Sequence, residues 1–166
     1  MCEFIPFELF GKKFRYYNVE RIESEFRNVE GNWKPMTISN EGNYKRICFN
    51  IEKKKYRMKL HRVIYFVHNP DWDIYDSSPD NFIDHIEHQD GVPLDNSIGN
   101  LRVVSKQQNQ WNTNAKGYTW HIQRQKWQAQ IAINGYRKYL GCFDNECDAH
   151  DVYLAAKALY HIIPEN

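Results

Sequence analysis

Asp84 and His85 stand side by side in the run from Ile83 to Gly91, and Asn109 follows 24 positions beyond His85. These residue types suit one kind of chemistry. An imidazole titrates close to neutral pH and can take a proton from water. A carboxylate is a hard oxygen donor appropriate to Mg²⁺, and the Asn109 amide carbonyl offers a second oxygen. Neighbouring residues on a strand point to opposite faces. One of the pair can therefore hold a metal while the other handles a water. So little protein charge leaves a phosphate substrate to complete the site, with the ion acting as Lewis acid. His61 begins an apolar helix with Arg62 beside it and is placed to face the same cleft, whereas His68 and His88 read as loop residues. Taken alone, an Asp-His pair is also a common surface feature, so the elements around it decide its meaning.

The residues from Leu60 to Val67 carry Leu60, Ile64 and Val67 at helical spacing with Val63 beside them, and Asn69-Pro70 is a stop. A polar loop follows. Ile83 then opens a short strand, Asp90-Gly91 supplies a turn, and the run Asn100–Ser105 is a second strand. Ser105 and Gln108 have capping-box spacing, so a helix starts at a defined point. Its N-terminal N–H groups favour a phosphate oxygen.

Residues 1–56 are polar and strand-rich, and are expected to form a small antiparallel sheet. Within them, Ile47, Phe49 and Ile51 oppose Tyr44, Arg46, Cys48 and Asn50, after a turn at Glu41-Gly42-Asn43. Residues 57–112 form the segment just described, 113–116 a linker, and 117–163 a last module. That module holds three strand candidates. Asn134-Gly135 between the second and third is a strong hairpin signal. Trp127, Ala129, Ile131 and Ile133 share one face. A final helix carries a stripe of Ala149, Val152 or Tyr153, Ala156, Leu159 or Tyr160, and Ile163. The fold class is α+β.

The net charge of +1 excludes nothing, but its distribution is informative. Basic residues cluster from Lys45 to Arg62, acidic ones from Asp71 to Asp90, and basic ones return at Lys116, Arg124, Lys126, Arg137 and Lys138. Exposed charges beyond roughly 8 Å are largely screened at cellular salt, so such patches matter more than the sum. The four cysteines contain no C-x-x-C pair, and Cys142, Cys147 and His150 lack a fourth ligand, so zinc is not expected. With no signal-peptide pattern and no membrane-length apolar run, the expectation is a reducing, intracellular setting without membrane association.

The series His61-Arg62, Asp84-His85, Asp90-Gly91, Asn100-Leu101 and Asn109 resembles the HNH homing endonucleases of phages and introns. The resemblance implies a ββα-metal nuclease core gripping one Mg²⁺ or Mn²⁺ ion. It makes Asp84 the first ligand, His85 the general base, Asn109 the last ligand and Asn100 an organiser of the loop, with Asn96 matching a loop Asn. His61 and Arg62 match positions near the scissile phosphate. Four residues separate His85 from Asp90 where the family usually has one, and Asp95 replaces a frequent Asn.

Residues 116–159 resemble the AP2 domain, in which a sheet lies in the DNA major groove. Alternation then puts Thr119, His121, Gln128, Gln130, Arg137 and Tyr139 on the exposed face, where Gln suits adenine and Arg suits guanine or phosphate. Lys116, Arg124 and Lys126 would touch phosphates, as would the basic stretch ending at Lys59. Trp120 and Trp127 either contact DNA or fill the thin core, the core being favoured for Trp127.

Together these readings imply a site-specific endonuclease acting on double-stranded DNA, in an infected cell or in a nucleus or organelle. It would be a monomer that nicks or a homodimer that cuts both strands. The alternatives are a sequence-specific DNA-binding protein without nuclease activity, and a structure-selective or RNA nuclease.

Overall fold

The computed structural model describes residues 3–26, 29–86 and 94–163. The Asp90-Gly91 turn and His88 lie outside them. The chain divides into two compact units, residues 1–103 and 104–166, each of which has its own core.

The first unit begins with β1 (Ile5–Leu9), β2 (Lys12–Asn18), β3 (Arg21–Glu25) and β4 (Trp33–Pro35), an antiparallel sheet in chain order. Phe10 and Gly11 both have positive φ, the geometry that a two-residue hairpin requires. A three-stranded sheet follows, β5 (Ile38–Glu41), β6 (Tyr44–Ile51) and β7 (Lys54–Lys59). So the N-terminal segment holds two sheets where one small sheet was expected. In β6 the expected alternation is present, with Ile47 and Phe49 buried.

Helix α1 (Leu60–His68) starts directly from β7 and buries Leu60, His61, Val63, Ile64 and Val67. It ends at Asn69, whose N–H donates to the Tyr65 and Phe66 carbonyls at 2.9 and 3.2 Å. His68 closes this helix, with its ring 5.3 Å from that of Tyr16, and is not a loop residue. Strands β8 (Phe82–His85) and β9 (Leu101–Val104) pair with each other. Leu9, Phe14, Ile47, Phe49, Leu60, Ile64, Ile83 and Leu101 form one continuous core. That core runs across residue 56, because α1 packs on β6, β7, β1 and β8 alike.

The second unit opens with α2 (Lys106–Trp111). Its N-cap Ser105 makes the full capping box with Gln108, at 3.1 Å for the Gln108 N–H and 2.8 Å for the return bond. Strands β10 (Tyr118–His121), β11 (Lys126–Ile133) and β12 (Tyr136–Phe143) form an antiparallel sheet. Asn134 and Gly135 turn the β11–β12 hairpin at φ 48° and 82°. Helix α3 (Glu146–Tyr160), capped by Asn145, lays Ala149, Tyr153 and Ala156 on that sheet. The choices left open along the stripe resolve to Tyr153 and Tyr160, which pack with Ile131, while Leu159 is exposed.

Candidate active site

The short strand β8 carries Ile83 into the core, and the Asp84 and His85 side chains are buried with it, at 3% and 1% exposure. A buried imidazole and carboxylate need partners, and the surrounding elements provide them.

Asn96, itself buried, brings its Oδ1 to 3.2 Å from His85 Nε2. Its Nδ2 donates to the Leu94 carbonyl at 3.1 Å, which identifies Oδ1 as the acceptor. His85 therefore presents Nε2 as the donor to Asn96 Oδ1. The loop holding Asn96 is fixed by an Asx turn, in which Asp95 accepts from the Ser97 N–H and hydroxyl at 2.8 and 2.7 Å. These bonds lower the Asp95 pKa. Asn100 Nδ2 donates to the Asp95 carbonyl at 2.9 Å, and the Asn100 carbonyl accepts from the Ile86 N–H at 2.9 Å. Asn100 thus ties the Asn96 loop to the end of β8.

Asp84 faces a cation that the sequence did not single out. Arg102 on β9 places Nη2 3.6 Å from Asp84 Oδ2, with the side chains 8% and 4% exposed. Tyr44, from β6, sets its ring 5.4 Å from His61 and 6.0 Å from His85. Burial, and then the Asp84 charge, raise the Tyr44 pKa, so its hydroxyl keeps its proton. Lys59 lays its ammonium over the Tyr44 ring at 4.4 Å.

His61 meets His85 edge to face at 5.0 Å, so α1 and β8 bring these two predicted residues together. Its Nδ1 is buried without a hydrogen-bond partner among the described residues. Burial first, then the His85, Lys59 and Arg62 charges, push its pKa down to about 3. This has a consequence for stability. The unfolded chain protonates His61 near its ordinary 6.5, whereas the folded one waits until about 3. Stability is complete above the upper value and falls as pH drops between the two, by ~1.4 kcal/mol per pH unit. Urea melts at pH 7, 5.5 and 4.5 should show a shallower loss for His61→Gln than for the native chain. Equal slopes would contradict a neutral buried imidazole.

Arg62, grouped with His61 on the sequence, is turned elsewhere. Its guanidinium donates to the Ile74, Asn81 and Asp76 carbonyls at 2.9, 3.1 and 3.3 Å and sits 4.8 Å over Trp72. It braces the long polar loop. Asn81 completes that brace, donating to the Asp73 and Asp76 carbonyls and accepting from the Trp72 indole.

Asn109 lies on α2, in the second unit, with its N–H on the Ser105 carbonyl at 2.9 Å. Among the described residues, no group of three or more His, Cys, Asp or Glu side chains is arranged to hold a metal. Asp84 is by its chemistry a donor for a hard cation. Among the described residues, the buried Asp84 carboxylate fits an ion whose other ligands are amide oxygens, water and substrate.

In the second unit the strand register sorts the remaining candidates, since directly opposed residues share a face. Thr119 opposes Gln128, His121 opposes Lys126, Gln130 opposes Tyr139, and Ala132 opposes Arg137. One face therefore holds Thr119, His121, Lys126, Gln128, Gln130, Arg137 and Tyr139. Trp120 opposes Trp127, with the rings 5.2 Å apart, and so lies on the other face with Ala129 and Ile131, although it is 46% exposed. Arg124 Nη1 is 3.8 Å from Cys142 Sγ, which the register puts opposite Gln128. The Tyr139 hydroxyl, then Arg124, lower the Cys142 pKa. Lys126 pairs with Asp144 at 3.1 Å, and the Lys116 carbonyl is 3.0 Å from His150 Nδ1. No described helix is long and apolar enough to cross a membrane.

Comparison with known proteins bears on the segment that holds the imidazole cluster. Residues 58–111 match the family described as HNH endonuclease. "Protein 3.8" of Escherichia phage T7 is 30% identical over 59 residues, covering 31% of this chain and 49% of that protein, about half its length. No solved structure matches. The segment that joins α1 to β8, β9 and α2 is therefore an HNH-family nuclease domain, spanning residues 58–111.

Proposed function

We propose that this chain is a site-specific endonuclease that hydrolyses phosphodiester bonds in double-stranded DNA. The observation that carries the reading is the setting of His85. It is a buried imidazole inside the HNH segment whose tautomer Asn96 fixes, beside the Asp84 carboxylate. In its neutral form, His85 takes a proton from water as the water oxygen forms a bond to phosphorus. The bond from phosphorus to the sugar oxygen then breaks. Asp84 would hold a divalent ion, Mg²⁺ or Mn²⁺, and on the family resemblance Asn109 is the second oxygen donor. When bound, such an ion supplies Lewis acidity to the phosphate and to the departing oxygen. Asn100 keeps the Asn96 loop in place, and the neutral His61 ring packs the His85 imidazole without adding a competing charge. Tyr44 and Lys59 offer a protonated hydroxyl and a cation to phosphate oxygens.

Target recognition is assigned to the sheet of the second unit. The face with Thr119, Gln128, Gln130, Arg137 and Tyr139 offers amide and guanidinium groups for base edges. His121, Arg124, Lys126 and Lys116 add polar and basic groups for the backbone.

The reading is tested by incubating the protein with a random duplex library and Mg²⁺, then sequencing the nicked ends. Enriched sequences at the cut positions are expected, and absence of any nick above a metal-free control would sink the proposal. In the same library, Arg137→Ala and Gln130→Ala should each flatten the preference at one or two positions. The loss should correspond to roughly 1–3 kcal/mol of discrimination per lost bidentate contact. Unchanged preference in both variants would remove this face from target recognition.

A further inference from the structure

We propose that Arg102 is the resident counter-ion of Asp84 and thereby makes metal loading depend on the arrival of a phosphate; this rests on the reading of Asp84 as the ion's ligand. Arg102 Nη2 lies 3.6 Å from Asp84 Oδ2, and both side chains are more than nine-tenths buried. A guanidinium keeps its charge under all ordinary conditions. Inside the fold, the guanidinium offsets the charge of the Asp84 carboxylate. Two effects follow. The aspartate needs no metal to be tolerated in the interior, since breaking a buried pair is strongly unfavourable and keeping it is not. A divalent cation approaching Asp84 also meets a fixed positive charge behind it, which weakens its binding. A bridging phosphate brings negative charge that offsets the guanidinium, and the ion then binds with its substrate. Such an arrangement keeps a nuclease free of activating ion while it is off DNA. Arg102 touches no substrate atom in this scheme; it is a positioning residue acting through Asp84.

The same pair orients the ligand. β8 and β9 are neighbours, so Arg102 holds the Asp84 carboxylate from the adjacent strand. Lysine can supply the charge without the planar fork, and methionine approximates the volume without the charge. The two substitutions separate the electrostatic role from a packing role.

The test is the thermal midpoint of the full chain titrated with Mn²⁺ in the absence of DNA. It is run on the native protein, Arg102→Met, Arg102→Lys and Asp84→Asn. Arg102→Met should melt lower than the native protein without ion. It should also gain more from Mn²⁺, with a half-saturating concentration about tenfold lower, since a like charge close by is removed. Arg102→Lys should titrate like the native protein, and Asp84→Asn should not respond to Mn²⁺. Adding a short duplex should lower the half-saturating Mn²⁺ concentration of the native protein but change that of Arg102→Met little. If Arg102→Met folds only with Mn²⁺, the ion has replaced the guanidinium, as expected. If it stays unfolded at saturating Mn²⁺ while Arg102→Lys folds, the role is structural and the proposal fails. If the native protein responds to Mn²⁺ and Asp84→Asn does not, yet Arg102→Met matches the native curve, this inference alone is overturned. If no variant responds to Mn²⁺ with or without duplex, the assignment of Asp84 as ligand falls instead.

Discussion

His85→Ala is expected to lower the single-turnover cleavage rate by roughly 10²–10⁴-fold, the usual contribution of a positioned general base. Duplex affinity should stay within the scatter of replicate titrations. The separation is expected because His85 is 1% exposed and stands among His61, Tyr44 and Asn96, away from solvent-facing positions. It can touch the reacting water without contributing much to holding the duplex. Truncating a fully buried side chain also leaves a cavity, so some stability is lost. His85→Gln serves as the companion variant. It keeps a polar group of similar length that Asn96 can bond, yet it has no nitrogen lone pair basic enough to accept a proton. Both variants should lose cleavage rate to a similar extent, with the glutamine form melting closer to the native protein. Asn96→Ala should produce a smaller loss, roughly 10–100-fold, because it removes the partner that orients the base and not the base itself. Parallel loss of binding and cleavage in both His85 variants would show that the imidazole is part of the binding surface and not the base.

How far the sequence reveals these features depends on how local each signal is. Helix α1, the Ser105 capping box and the β10–β12 sheet were legible because each is written in adjacent residues. The apolar stripe of α1 has period 3.6, the box has fixed spacing, and Asn134-Gly135 has the positive φ pair that a tight hairpin demands. Strands β1–β4 were blurred for a physical reason. Their outer face is covered by aromatic rings under cations, with Arg15 4.4 Å from the Phe4 ring and 4.0 Å from the Trp33 ring. The simple polar and apolar alternation is lost where such pairs replace it. In the site, Asp84 and His85 were readable as a pair, but their supports were not. Arg102 has the form of an outward strand residue, yet it is buried beside the Asp84 carboxylate. Tyr44 comes from a sheet about 40 residues upstream, so only the packing of α1 against β6 brings it to the imidazoles. Asn96 was visible as a loop asparagine, yet its role follows from a side-chain bond across 11 residues.

Gly117→Ala should unfold the second unit, the largest stability effect expected from a methyl group added at a glycine among the described residues. Gly117 has φ +73°, in the left-handed region that side chains disfavour. That strain alone costs about 1–2 kcal/mol. The space is a harder constraint. A Cβ at Gly117 would lie 1.9 Å from Tyr153 Cγ and 2.0 Å from Cδ2, inside the ring. Tyr153 cannot simply swing away, because its 5%-exposed ring is one of the residues by which α3 covers the sheet. Nor can the backbone drift far, since the Gly117 carbonyl accepts the Gln130 N–H at 2.9 Å beside the irregularity in β11. Relief requires moving the ring, the strand or the helix, and overpacking of this kind adds ~1–3 kcal/mol to the backbone strain. A unit of this size holds only a few kcal/mol in reserve, so the sum is enough to unfold it. Limited proteolysis followed by mass mapping gives the readout. Cleavage should appear throughout α3 and β10–β12 under conditions where the native protein resists. Gly117→Ala with Tyr153→Ala tests the cause, because deleting the ring removes the clash but not the unfavourable φ. Some recovery of protease resistance over Gly117→Ala alone is expected from the double variant. If Gly117→Ala resists proteolysis like the native chain, then Tyr153 does not pack over this turn.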